Sequence, residues 1–135
     1  MKPSILSGLF FGAINLVTNV FVVLPLKAQM VGVILGSGLL FFNSLFAVLF
    51  TKKHNQYQLT WNQGMKASVQ AGIIQSLFYF LSIVLIQKVF SPGFFPELVS
   101  FGQYLPILSI NIILFSVFSF IFGFITSSLL HNQRQ

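Results

Sequence analysis

Hydrophobic positions along this chain gather into four long runs, with polar residues confined to the breaks between them. The runs cover about residues 4–24, 30–50, 64–89 and 105–130. At about 1.5 Å of rise per helical residue, each is long enough to cross a hydrocarbon layer of about 30 Å. The pattern therefore predicts four transmembrane helices. The first two are joined by LPLKAQ, a connection so short that it forces an antiparallel hairpin. The first run exceeds the apolar region of a signal peptide, and only Lys2 stands before it as a charge. A span is expected there rather than a cleaved leader.

The longest polar break is Thr51 to Lys66, TKKHNQYQLTWNQGMK. Within it, Thr60 and Gln63 have the spacing of a capping box, which predicts a helix start near Trp61. Tyr57 and Trp61 suit the headgroup level, where amphipathic rings settle. The third break, FSPGFFPELVSFGQY, opens with the turn signal Pro92-Gly93. Pro96-Glu97 then resembles a first helical turn, with proline where its missing N–H costs nothing and an acid at the positive end of the dipole. A short interfacial helix is expected over about 96–104. The predicted fold is thus all-α. It is a single four-transmembrane-helix bundle over 1–135, made of two antiparallel hairpins, with a short interfacial helix between helices three and four.

Small and polar residues recur at helical spacing within every run. Run one gives Gly8, Gly12, Asn15 and Asn19; run two gives Gly32, Gly36 and Asn43. Run three gives Ser68, Gly72, Gln75, Tyr79 and Ser82; run four gives Ser109, Ser116, Ser119, Gly123 and Ser127. Steps of three and four keep such residues on one face, and small residues let helix backbones approach closely in lipid. These stripes are the predicted packing seams. Gly8/Gly12 and Gly32/Gly36 also suit a homodimer face, so self-association stays open. The intramembrane Asn15, Asn19, Asn43, Gln70, Gln75 and Asn111 have two readings: interhelical hydrogen bonding, or an uncharged path for a substrate. Bonding is preferred, because transport paths are expected to carry ionisable groups and the middles of these runs carry none.

Composition strengthens the membrane reading. The chain is 56% hydrophobic and 6% charged, with a mean hydropathy of +0.90, too oily for a water-facing domain. The net charge of +6 does not point to nucleic acid, because the basic residues sit at the ends of apolar runs. Four spans would place Lys2, Lys52, Lys53, Lys66 and Arg134 on one side, with His54 and His131. Lys27, Lys88 and the single acid, Glu97, would lie on the other. The positive-inside rule then makes both termini cytoplasmic in a bacterial inner membrane. Lys52, Lys53, Trp61 and Lys66 form the candidate contact with lipid headgroups or a partner, at about 1 kcal/mol per basic residue.

Little chemistry is available. There is no cysteine, and no Gly-x-Ser-x-Gly elbow, phosphate loop or dinucleotide fingerprint. Two histidines without a nearby acid or thiol make a poor metal site, and none lies inside a run to ligate haem. No enzyme activity, metal or cofactor is expected.

Three stretches, SGLFFG, LTWNQGMKASVQAG and FPEL, resemble features of the domain of unknown function 4199 family, small four-span inner-membrane proteins of Bacteroidota. The resemblance implies the same four-span layout. That family's function is unknown, so no site residue is carried over from it. The ending SSLLHNQRQ departs from it in being less basic. The expected role is an accessory or scaffolding subunit whose partners are membrane lipids and other membrane subunits. The alternatives are a small oligomeric transporter or channel and an anionic-lipid-binding protein.

Overall fold

The computed structural model describes residues 2–23, 25, 29–56, 58–90 and 101–130. Expectations placed on Lys27, Tyr57, the 91–100 segment with Pro96 and Glu97, His131 and Arg134 lie outside the described residues. Four helices dominate. Helix α1 runs Pro3–Thr18, with proline in its first turn, and continues through a wider π-type turn at Asn19–Val23. Helix α2 is Gln29–His54. Helix α3 is Trp61–Leu85, followed by a second π-type turn at Ile86–Phe90. A single 3-10 turn, Phe101–Gln103, leads into α4, Tyr104–Leu130. All four are long and apolar enough to cross a membrane. At 27 residues, α4 is roughly 40 Å long, more than a hydrocarbon core needs without tilt.

The polar stretch is more helical than its composition implies. Helix α2 does not stop near Phe50 but carries Thr51, Lys52, Lys53 and His54 in its last turn. Basic side chains at a helix C-terminus oppose the negative end of its dipole, which favours extension into the headgroup zone. The chain then reverses within residues 55–60. Gln56 takes a left-handed φ of 58°, a common way to end a helix. Helix α3 starts where the capping box places it: Thr60 Oγ1 accepts from the Gln63 amide (3.3 Å), and Gln63 Oε1 accepts from the Thr60 amide (3.1 Å). Leu59, fully buried, tucks the connection under the helices.

Helix α3 is the hub, packing against α1, α2 and α4; α2 also touches α1 and α4. The interior is small and polar, and the exterior is large and apolar. Fully buried positions include Asn15, Asn43, Ser44, Ser68, Gln75, Ser76, Ala47 and Ala71, while Phe10, Phe21, Phe42 and Phe120 face outward. That inversion suits a lipid solvent, where helices gain nothing by hiding leucine from lipid and gain contact by close approach. Helix α4 is the least covered: over an apolar stretch of 18 residues, 11% is buried, against 39%, 33% and 39% for the other three.

Candidate functional site

The seam residues fall into two structures. Between α3 and α4, a glycine on one helix meets a serine on the other at three successive levels. Gly64 faces Ser127, Ser68 faces Gly123, and Gly72 faces Ser119. A Cβ added at Gly123 would lie 2.6 Å from Ser68 Cβ, and one at Gly72 would lie 2.7 Å from Ser119 Cβ and 3.3 Å from the Phe115 carbonyl. Only glycine fits there. Ser68 Oγ uses the closeness to donate to the Ser119 carbonyl at 2.6 Å. Ser116 is only half-buried, beside rather than within this seam.

Helices α1, α2 and α3 meet through polar side chains. Ser4 Oγ donates to Gln70 Oε1 (2.8 Å). One level further, Ser7 Oγ donates to Asn43 Oδ1 (2.7 Å). Asn43 Nδ2 donates to Gln75 Oε1 (2.9 Å) and to the Ala71 carbonyl (3.0 Å). Gln75 Nε2 in turn reaches the Gly36 carbonyl at 3.4 Å. Near the far end, Asn19 Nδ2 donates to Ser82 Oγ (2.8 Å). Gly8 and Gly12 lie on the same side of α1, where a Cβ would come within 2.8 Å of Ile74 Cβ and 2.8 Å of Phe78 Cγ, respectively. That glycine pair therefore serves a contact inside the bundle.

Asn15 breaks this ladder. It is fully buried, yet neither Nδ2 nor Oδ1 has a hydrogen-bond partner within the protein. Gly36 lies opposite, and its glycine is not a tight contact. A Cβ there would sit 3.8 Å from Asn15 Nδ2 and 3.9 Å from Oδ1 and from Tyr79 Cε2, in ordinary contact. Gly32 and Gly36 instead line a groove of about 260 Å³ between α2 and α4, closed by Tyr79, Asn111 and Phe115.

The Lys52, Lys53, Trp61 and Lys66 group is not one cluster. Lys52 Nζ donates to the Leu130 carbonyl at 2.8 Å, tying the end of α2 to the end of α4. Sequence reading offered Lys52 to a headgroup and had no signal for this bond. Trp61 packs edge-on against Phe124 of α4, ring centroids 5.1 Å apart. Lys66 is exposed on α3. Lys53 and His54 are exposed beside Pro3, Leu6 and Phe50. Leu6 and Phe50 also belong to a wholly apolar cleft of about 500 Å³ between α1 and α2, with Phe10, Phe11 and Phe46. At the opposite end, Lys88 Nζ stands 5.5 Å from the centre of the Tyr104 ring, a cation–π distance.

Among the described residues no three His, Cys, Asp or Glu side chains come together. The chemistry on offer is therefore amide and hydroxyl hydrogen bonding inside, and a basic, aromatic rim at one end. No family model matches the chain, nor does any curated protein or solved structure.

Proposed function

We propose that the chain is a non-enzymatic, multi-pass protein of a bacterial inner membrane, with cytoplasmic termini, acting as an accessory or scaffolding subunit. Two antiparallel hairpins are part of this reading. It is supported by the pairings themselves: Ser7 meets Asn43 while Asn15 lies by Gly36, and Gly64 meets Ser127 while Gly72 meets Ser119. The observation that carries the role is how the interior polar groups are used. Of the buried amides, Asn43, Gln75 and Asn19 each bond to a neighbouring helix, and Asn15 does not; the exposed Gln70 also accepts from Ser4 of α1. Side chains so occupied hold helices together rather than line a substrate path. What remains for function is surface, and the broadest is α4, where Ile113, Val117, Phe120 and Phe124 are exposed.

Extraction in mild detergent followed by native mass spectrometry tests this. The expected result is a second membrane polypeptide bound to the chain. Recovery as a free monomer without a partner counts against it. A second reading, an anionic-lipid-binding protein, is favoured by the apolar cleft that opens beside Lys53 and His54, an acyl-sized space with a basic mouth. The same spectra address it: Lys53→Glu should reduce retained anionic lipid, and unchanged retention sinks the idea.

A further inference from the structure

We propose that the cleft between α1 and α2 seats one acyl chain of a lipid whose head is a phosphomonoester, held at the mouth by Lys53 and His54. This rests on the second reading above, anionic lipid binding, and names the class of lipid and its seat.

The seat for the chain is aromatic. Phe11 of α1 stacks on Phe46 of α2 with ring centroids 5.5 Å apart, and Phe46 lies 5.6 Å from Phe50. These rings floor the cleft, and Leu6 and Phe10 stand exposed at its side. Ser7 also lines it, but its hydroxyl is turned inward to Asn43 Oδ1 at 2.7 Å, so the wall is apolar throughout. At about 30 Å³ per water-sized group, 500 Å³ takes roughly seventeen, close to one acyl chain and half of two. A second chain of the same lipid would lie in the surrounding hydrocarbon.

The seat for the head adjoins it. Leu6 and Phe50 are walls both of the cleft and of a pocket of about 360 Å³ that Pro3, Lys53 and His54 complete. Chain and head can therefore be held at once, as in other basic pockets between membrane helices. The neighbouring Lys52 is committed to the Leu130 carbonyl. The Lys53 and His54 side chains are exposed and make no hydrogen bond or ion pair among the described residues. No acid lines the pocket, and the only acid in the chain, Glu97, follows the far end of α3. Two helix ends of opposite dipole meet here, the start of α1 at Pro3 and the end of α2 at His54, so the side chains decide the sign of the mouth.

The class of head follows. Lys53 brings a fixed positive charge, and His54 brings a ring N–H donor and a second charge when protonated. A phosphomonoester carries about −1.5 to −2 at pH 7 on three acceptor oxygens, more charge than a phosphodiester in less volume. The pocket has no amide, hydroxyl or carboxylate side chain to read a glycerol or a sugar, so a larger head gains nothing there. A zwitterionic head brings an ammonium that Lys53 repels. The rival seat is the groove at Lys66, which sets one lysine among Asn62, Gln70 and Phe120 and so offers a single cation.

The test uses the whole chain in phosphatidylcholine nanodiscs with a phosphatidate carrying a photoreactive diazirine in one chain. Labelled positions are mapped by peptide mass spectrometry, with unlabelled phosphatidate, phosphatidylglycerol and phosphatidylethanolamine as competitors. Labelling is expected on the 6–11 and 46–50 segments. Phosphatidate should compete about fivefold better than phosphatidylglycerol, the share of one charge, and phosphatidylethanolamine should compete least. Lys53→Gln should weaken labelling about fivefold and Lys66→Gln less than about twofold, both with an unchanged thermal midpoint. Labelling centred on 62–70 and Phe120, or spread evenly round the bundle, would overturn the seat. Phosphatidylglycerol competing as well as phosphatidate would overturn the head. Equal losses from Lys53→Gln and Lys66→Gln would overturn both. In those cases native spectra that still show anionic over zwitterionic lipid leave the broader reading standing. Spectra with no such preference sink it together with this site.

Discussion

The two interfaces of α3 join helices by different physics. Towards α4, α3 presents glycine to serine and serine to glycine, so that backbones nearly touch and one hydrogen bond, Ser68 to the Ser119 carbonyl, follows from the closeness. Towards α1 and α2, amides and hydroxyls reach between the helices, beside close glycine contacts of Gly8 with Ile74 and Gly12 with Phe78. The first interface depends on shape and has no room to yield. The second adds pairing, and can lose one hydrogen bond while the Gly8 and Gly12 contacts keep its spacing. In lipid, where apolar surface brings no advantage to helix association, these are the two available means of holding helices together. This bundle relies chiefly on the first between α3 and α4, and combines the two between α3 and α1.

The largest expected effect comes from shape. Gly72→Val puts a side chain onto Ser119 and the Phe115 carbonyl and should cost about 2–3 kcal/mol, read as a lower thermal midpoint in detergent. Trp61 is the only tryptophan and packs on Phe124 across this seam, so its emission should change before helical signal is lost. If emission and helicity fall together, the two interfaces are not separable.

A smaller effect is expected from pairing. Asn43→Leu breaks three amide hydrogen bonds and strands Gln75 Oε1, costing about 1–2 kcal/mol. Its Trp61 emission should stay native until global melting. A loss as great as that of Gly72→Val would erase the distinction. The smallest is Asn15→Leu, at about 0.5 kcal/mol or less in either direction, since no protein partner is lost. Measured beside Asn43→Leu in one thermal series, a loss of the same size would show that Asn15 is bonded after all.

These contrasts mark how far the sequence could be read. Four helices and the α3 start at Trp61 were legible, because run length and Thr60/Gln63 spacing are local properties. The α2 end was misplaced, since Lys52 and Lys53 look like loop residues until the helix dipole is considered. The differences within the stripes were not legible. Gly72 and Gly36 have the same local pattern, yet one is pressed against serine and the other meets its neighbours only at ordinary contact distance. Asn15 and Asn43 are equally buried, yet one is unbonded and the other triply bonded. What separates them stands on another helix, and no spacing within one run reports its partner. The Lys52 bond to Leu130 is the same case at a separation of 78 residues.

The central position of α3 also sets an order of events during synthesis. Asn43 and its main acceptor Gln75 are 32 residues apart. At about 5–20 residues per second, Gln75 is made roughly 2–6 s after Asn43. Through that interval, Ser7 can occupy the Asn43 oxygen, but the amide hydrogens have no mate until α3 arrives. The half-made chain thus carries an open valence at membrane depth. The third helix enters a bilayer in which its docking partner is already waiting.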